Sequence, residues 1–137
     1  MKIDRVEWWE VKQFVHQEMV NSPEYADTHE QWDLVPKYLI RLHTDDGTYG
    51  VGETGRGAKG ADVEAAARQL IGLDPRNIAL RRLPLDTTLV SVYKAYETAL
   101  LDMVGRIHNM RMSDLLGGAC RDHVIGKTDN ALGMART

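Results

Sequence analysis

Apolar and polar positions interleave from the start of the chain. Val6, Trp8, Val11 and Val15 are mixed with Arg5, Glu7, Glu10 and Lys12, so Ile3 to Val15 is predicted to be a strand. The alternation is sharper in Tyr38-Leu39-Ile40-Arg41-Leu42-His43-Thr44. There Tyr38, Ile40 and Leu42 should point to one side and Leu39, Arg41 and His43 to the other. Asp45-Asp46-Gly47 separates this run from Thr48-Tyr49-Gly50-Val51-Gly52-Glu53. Asp-Gly between two β-like runs is a hairpin signal, because Gly47 takes a positive φ without steric cost. Three such strands in succession imply an antiparallel meander, with the polar stretch His16 to Asp33, broken by Pro23, as a long loop between the first two.

After Gly60 the period changes. Val63, Ala66, Ala67, Leu70 and Ile71 fall on one helical face, Asp62 sits near the N-terminus and Gly72 is the expected stop. Asp74-Pro75 resets the chain, and a short helix is expected within Arg76 to Arg82. The longest helical pattern runs from Thr88 to His108, with Leu89, Val92, Tyr93, Tyr96, Ala99, Leu100, Met103 and Ile107 in step. Asp102 and Arg106 stand four apart with the acid first, the favourable order. That helix should end near Asn109, after which Ser113 is expected to cap a turn of Asp114-Leu115-Leu116 closed by Gly117-Gly118. Ile125 to Thr137 shows no period and reads as a loose tail. The fold class is therefore α+β: a three-stranded antiparallel meander followed by a small helical bundle.

Composition narrows the function classes. The chain has 137 residues, 43% of them apolar and 27% charged, which fits one soluble domain. A (β/α)8 barrel needs about 250 residues, so none fits here. A net charge of −3 argues against a nucleic-acid partner. Cys120 is the single cysteine, which rules out an internal disulfide and a thiolate zinc cluster. No apolar run is long enough to span a membrane, and Met1-Lys2-Ile3-Asp4-Arg5 lacks the apolar stretch of a signal peptide. The expected compartment is the cytoplasm.

Several residues invite a chemical reading. Gly50-Val51-Gly52-Glu53-Thr54-Gly55 and Gly55-Arg56-Gly57-Ala58-Lys59-Gly60 both match the dinucleotide-binding pattern. That pattern needs a parallel βαβ unit, whereas the preceding strand here is half of a hairpin. A nucleotide site at Gly55–Gly60 therefore stands behind two other readings. One is a mobile strand-to-helix connection over Thr54–Gly60. The other is an anion site in which Arg56 and Lys59 sit beside a helix N-terminus. The five histidines show no metal-ligand spacing, and His43 reads as a packed strand residue. Asp45-Asp46 is explained by the turn. Glu97 is expected to be partly buried and held in an ion pair. Trp8 and Trp9 read as core or interface residues, and Trp32, in the long loop, as one able to pack on a ligand.

Four motifs in order point to a family. They are Thr44-Asp45-Asp46-Gly47-Thr48-Tyr49-Gly50-Val51-Gly52-Glu53, Leu70-Ile71-Gly72-Leu73-Asp74-Pro75, Tyr96-Glu97-Thr98-Ala99-Leu100-Leu101-Asp102-Met103-Val104-Gly105-Arg106, and Leu115-Leu116-Gly117-Gly118-Ala119-Cys120-Arg121-Asp122. Together they resemble the N-terminal capping domain of the mandelate racemase/muconate lactonizing enzyme branch of the enolase superfamily, over residues 1–124. The resemblance implies a parent enzyme in which a modified barrel follows the cap. The barrel carries carboxylate ligands for Mg²⁺ and the bases that remove a proton α to a carboxylate. It also implies that His16–Asp33 and Thr54–Gly60 are loops closing over the barrel mouth. Tyr25, Trp32, Arg56 and Lys59 are then candidate contacts to an acidic small-molecule substrate, and Glu53 lies near the cap–barrel seam. Only 13 residues follow Val124. Residues 125–137 are thus expected to be the start of a missing barrel domain, with no catalytic residue and no metal site in this chain. The full enzyme would be an acid-sugar dehydratase or a racemase/cycloisomerase, and the chain alone would be inactive and prone to self-association. The alternative from a different class is a free-standing, non-catalytic interaction or oligomerisation module.

Overall fold

In the computed structural model, residues 1–12, 36–55, 57–78, 83–121 and 123 are described. Strands β1 (Ile3–Lys12), β2 (Pro36–Thr44) and β3 (Tyr49–Glu53) form one antiparallel sheet in the order β1-β2-β3. The expected extension of the first strand to Val15 lies outside the described residues, as does the tail 125–137. In β2, Tyr38, Ile40 and Leu42 are buried while Leu39 and Arg41 are exposed, so the alternation is a true partition between two faces. In β1 the register shifts between Ile3 and Arg5. That extra residue lets both Ile3 and Val6, an odd number apart, turn toward the core.

The β2–β3 turn follows its sequence signal. Gly47 has φ +87° and donates its N–H to the Thr44 carbonyl at 2.9 Å. The Asp46 carboxylate accepts from the Thr44 hydroxyl at 2.6 Å and from the Thr48 N–H at 3.1 Å. These bonds, the Thr44 hydroxyl first, hold its pKa below the ordinary value.

The helices are α1 (Gly60–Leu70), α2 (Pro75–Ile78), α3 (Val90–His108) and α4 (Met112–Leu115), with a 3₁₀ turn at Thr87–Leu89 before α3. Val63, Ala66, Ala67 and Leu70 of α1 are buried as expected. Ile71 is half exposed, because the backbone has already left the helix there at φ −59°, ψ 133°. Gly72, at φ +88°, ends the turn, and its N–H meets the Ile3 carbonyl at 2.7 Å, tying the exit of α1 to the start of β1. Of the short helix expected over Arg76–Arg82, Pro75–Ile78 forms and 79–82 lie outside the described residues. The long helix begins at Val90 rather than Thr88, because the Asp86 carboxylate caps a 3₁₀ turn through the Thr88 N–H at 3.0 Å. It ends at Asn109 in the left-handed region, φ +51°. The cap expected from Ser113 is corrected: α4 starts at Met112, Ser113 lies inside it, and its N-cap position is Arg111, whose side chain grips Asp114 at 3.0 and 3.2 Å.

One core lies between the sheet and the helices, and its tightest contact is between α3 and β3. A methyl carbon added at Gly52 would sit 2.0 Å from the Ala95 carbonyl oxygen, and one at Gly50 2.0 Å from the Ala99 carbonyl oxygen. Helix backbone therefore rests directly on strand backbone, which only hydrogen side chains on β3 and small ones on α3 permit. The buried Tyr96 ties α3 to α1 by donating its hydroxyl to the Val63 carbonyl at 2.7 Å. Burial raises the Tyr96 pKa. Trp8 and Trp9 are corrected out of the core: both are exposed, Trp8 packing edge-on against Tyr38 and Trp9 standing on the opposite face of the sheet. Among the described residues no helix is long and apolar enough to cross a membrane.

Two outcomes follow from this packing. Gly52→Ala should cost about 3 kcal/mol by overpacking, read as a Tm fall of roughly 10 °C. Gly55→Ala, with open space around it, should leave Tm within about 1 °C; equal effects of the two would contradict the close contact. Asp74 accepts from the Arg76 guanidinium at 2.5 and 3.0 Å and from the Arg76 N–H at 3.0 Å, and the guanidinium first of all holds its pKa at about 2. A carboxylate with a depressed folded pKa stabilises the fold above its unfolded value, ~3.9, and loses that effect as pH falls toward the folded one. Asp74→Asn should therefore lower Tm at neutral pH, with the gap to wild type closing as pH falls from about 4 to about 2. A gap constant across that range would refute the assignment.

Candidate functional site

The meander dictates where its connections leave. Lys12, the last residue of β1, is paired with Pro36, the first of β2. The tight turn takes the chain across at the far end, so β3 returns and ends at Glu53, opposite Leu39. Segment 13–35 and the connection from β3 to α1 are thus rooted side by side at one end of the sheet.

The roots are joined by side chains. Lys37 of β2 and Glu53 of β3 form an ion pair. Thr54 extends the ladder past β3: its N–H donates to the Tyr38 carbonyl at 3.0 Å, and its hydroxyl accepts from the Tyr38 N–H at 2.9 Å. The Tyr38 hydroxyl donates to the Glu10 carboxylate of β1 at 3.3 Å and faces the Gly60 N–H that opens α1. Burial first, and then the Glu10 charge, raises the Tyr38 pKa. Three strand ends and the start of α1 thus converge on Tyr38.

This arrangement corrects the expectation of a mobile connection over Thr54–Gly60. Thr54 is 2% and Ala58 3% exposed, so the connection is anchored at two points. Of the expected substrate contacts, Tyr25, Trp32 and Arg56 lie outside the described residues. Lys59 is exposed at the N-cap position of α1, where its carbonyl accepts from the Asp62 and Val63 N–H groups. With the Gly60 amide turned to Tyr38, most of the first-turn donors already have partners, so the anion reading rests on the Lys59 charge rather than on free amides. Glu53 is exposed and paired with Lys37.

The other sequence candidates resolve differently. The nucleotide reading fails because the strand before the glycines is antiparallel; Gly50 and Gly52 serve contact with α3. None of the ion pairs among the described residues includes Glu97, which is half-buried as expected. His43 sits with its Nε2 2.7 Å from Glu7 and its Nδ1 3.4 Å from Arg5, a strand-face pairing that lowers the Glu7 pKa. The Asp102–Arg106 pair forms as expected, and Asp102 does more: it also accepts the Val51 N–H at 3.0 Å, fastening α3 to the free edge of β3. Sequence reading missed Lys37, Tyr38 and Thr54 at the loop roots. A buried Thr just beyond a strand was the one local signal available.

Among the described residues no three His, Cys, Asp or Glu side chains gather as metal ligands. They therefore offer no fit for the Mg²⁺ that the family resemblance implies, and no metal-assisted step is assigned to them. A shallow depression of about 340 Å³ lies at the C-terminal end of α3, lined by Leu101, Asn109 and Met110 among others. Because α3 runs antiparallel to β3, with Arg106 stacked on Tyr49, this depression is at the opposite end of the domain from the loop roots.

Known proteins share this architecture. No curated relative matches the chain. The family described as mandelate racemase / muconate lactonizing enzyme, N-terminal domain, matches residues 15–117. An enolase from Agrobacterium radiobacter, provisionally assigned as a galactarate dehydratase and bound to sodium and L-malate, is 26% identical with a TM-score of 0.64, over 90% of this chain and 30% of that one. Muconate lactonizing enzyme from Pseudomonas putida is 25% identical with a TM-score of 0.63, over 89% of this chain and 34% of that one. An isomerase from Streptomyces coelicolor A3(2) is 28% identical with a TM-score of 0.62, over 88% and 33%. The chain spans about a third of the length of these structures. With the meander, the helices and a family match over most of its length in agreement, the chain belongs to the mandelate racemase/muconate lactonizing enzyme family and carries that family's N-terminal domain.

Proposed function

We propose that residues 1–124 form the capping, substrate-selecting domain of a Mg²⁺-dependent enzyme that removes a proton α to a carboxylate. The observation that carries this reading is the common root of segment 13–35 and the β3–α1 connection at one end of the sheet. Two connections rooted side by side suit closure over a single mouth, where they would exclude water and orient the substrate. Lys59, at the end of the second connection, supplies a cation for an acidic substrate, with Arg56, Tyr25 and Trp32 as its companions on the two connections. Glu53, paired with Lys37, belongs in this reading to the seam with a C-terminal barrel domain, the chain's principal partner. In this reading Mg²⁺ and the proton-abstracting bases belong to the barrel, so the cap alone is inert, and the enzyme works in the cytoplasm. An acid-sugar dehydratase is preferred to a racemase or cycloisomerase, because a long polar loop and basic residues suit an anionic polyol. The provisional galactarate dehydratase assignment of a structural neighbour supports that preference.

Purified 137-residue chain, assayed with Mg²⁺ and a panel of acid sugars, should form no product; metal-dependent dehydration by it would contradict the reading. When the chain is joined ahead of a family barrel, Lys59→Ala should raise KM for a diacid sugar about tenfold, the loss of one charge-assisted contact. In the same assay kcat should stay within about twofold. An unchanged KM would remove Lys59 from the substrate site.

A further inference from the structure

One residue of the middle strand holds both ends of the connection between β3 and α1. At the near end the Tyr38 backbone grips Thr54: its carbonyl accepts the Thr54 N–H at 3.0 Å, and its N–H donates to the Thr54 hydroxyl at 2.9 Å. At the far end the Tyr38 side chain meets Gly60, the first residue of α1. The hydroxyl faces the Gly60 N–H, and a methyl carbon added at Gly60 would lie 3.3 Å from that oxygen. The ring is held in place, since Tyr38 is buried and Trp8 packs on it edge-on with ring centroids 5.7 Å apart. The same hydroxyl donates to the Glu10 carboxylate at 3.3 Å. Glu10 stands opposite Tyr38 on β1, close to where segment 13–35 leaves the strand. A phenol hydroxyl donates one proton and still accepts. Here the proton goes to Glu10, which leaves the lone pairs for Gly60. The Gly60 N–H is one of the first-turn donors for which a helix has no acceptor of its own.

We propose that Tyr38 is the positioning residue of the substrate-selecting end: its hydroxyl, anchored by Glu10, fixes Gly60 and with it Lys59, so that one side chain ties the two connections together. The proposal rests on the capping role argued above, in which Lys59 meets the substrate. Lys59 is bonded directly to Gly60, and its carbonyl is held by the Asp62 and Val63 N–H groups at 3.0 and 3.1 Å. A shift of Gly60 therefore carries the Lys59 backbone with the first turn of α1. The Thr54 end depends on the Tyr38 backbone and not on its ring. Removing the Tyr38 hydroxyl thus frees one end of the connection and leaves the other fastened. The Lys37–Glu53 pair joins the same two strands but stands on the opposite face of the sheet, because successive residues of a strand alternate, so it is no substitute.

Amide hydrogen exchange of the 137-residue chain tests the fastening. Tyr38→Phe should speed exchange at Gly60 about tenfold more than at Ala99 and Met103, whose amides inside α3 report global opening. Glu10→Ala should act in the same direction, and Glu10→Gln, which keeps an acceptor for the hydroxyl, should retain most of the protection. A Gly60 amide that exchanges freely in the wild type, or that is indifferent to Tyr38→Phe, overturns the proposal. Kinetics of the chain joined ahead of a family barrel then separates positioning from bulk stability. Tyr38→Phe should raise KM for a diacid sugar about fivefold with kcat within about twofold, and should add nothing once Lys59→Ala is present. A KM raised by Lys59→Ala but unmoved by Tyr38→Phe overturns the proposal and leaves the capping role standing. Additive effects of the two substitutions also overturn it, since Tyr38 would then act elsewhere than through Lys59. A KM unmoved by Lys59→Ala removes the role on which the proposal rests, and the proposal with it.

Discussion

The fold depends on one contact between backbones. Gly50 and Gly52 leave the inner side of β3 without side chains, and Ala95 and Ala99 bring the α3 backbone down onto it. Helix and strand thus approach more closely than any pair of ordinary side chains would allow. The Asp102 carboxylate on the Val51 N–H fixes how far along the strand the helix sits. Tyr96, one residue after Ala95, then reaches the Val63 carbonyl and sets α1 beside α3. The glycines that mimic a dinucleotide-binding motif are therefore the seat of a helix, and their value lies in what they omit.

The end at which the connections leave follows from the meander's topology. An antiparallel meander whose second turn is tight must send its first and third strands out at the same end. Both connections consequently start where Tyr38, Glu10, Thr54 and Gly60 meet, and the Lys37–Glu53 pair spans the gap between their strands. The same geometry explains why the depression near Met110 and the stacked Arg106 belong to the other end. The domain divides its parts in this way: the sheet and helices hold position, while connections tolerate variation in sequence.

Much of the fold was legible along the chain. The period-2 run at Tyr38–Thr44, the Asp-Gly turn and the helical faces of α1 and α3 are local patterns, and local patterns report burial faithfully. What escaped was non-local or terminal. Lys37 and Glu53 stand 16 residues apart and Glu10 and Tyr38 28 apart, distances no pattern spans. Ser113 looked like a cap, but Arg111 reaches Asp114 and the helix starts earlier. The Gly-x-Gly of β3 had a readable counterpart in Ala95 and Ala99, four apart on the predicted helix, a pairing visible only once strand and helix are considered together. Of the substrate-contact candidates, Lys59 is placed at the loop root, whereas Tyr25, Trp32 and Arg56 lie outside the described residues.

The most direct test of this account is a nuclear Overhauser spectrum of the folded chain. The account predicts strong cross-peaks from the Gly52 Hα protons to the Ala99 amide and from the Gly50 Hα protons to the Met103 amide, because those backbones touch. Absence of both, with the β2–β3 cross-strand peaks intact, would show that α3 does not rest on the strand. The seat on which the helical layer is built would then be absent.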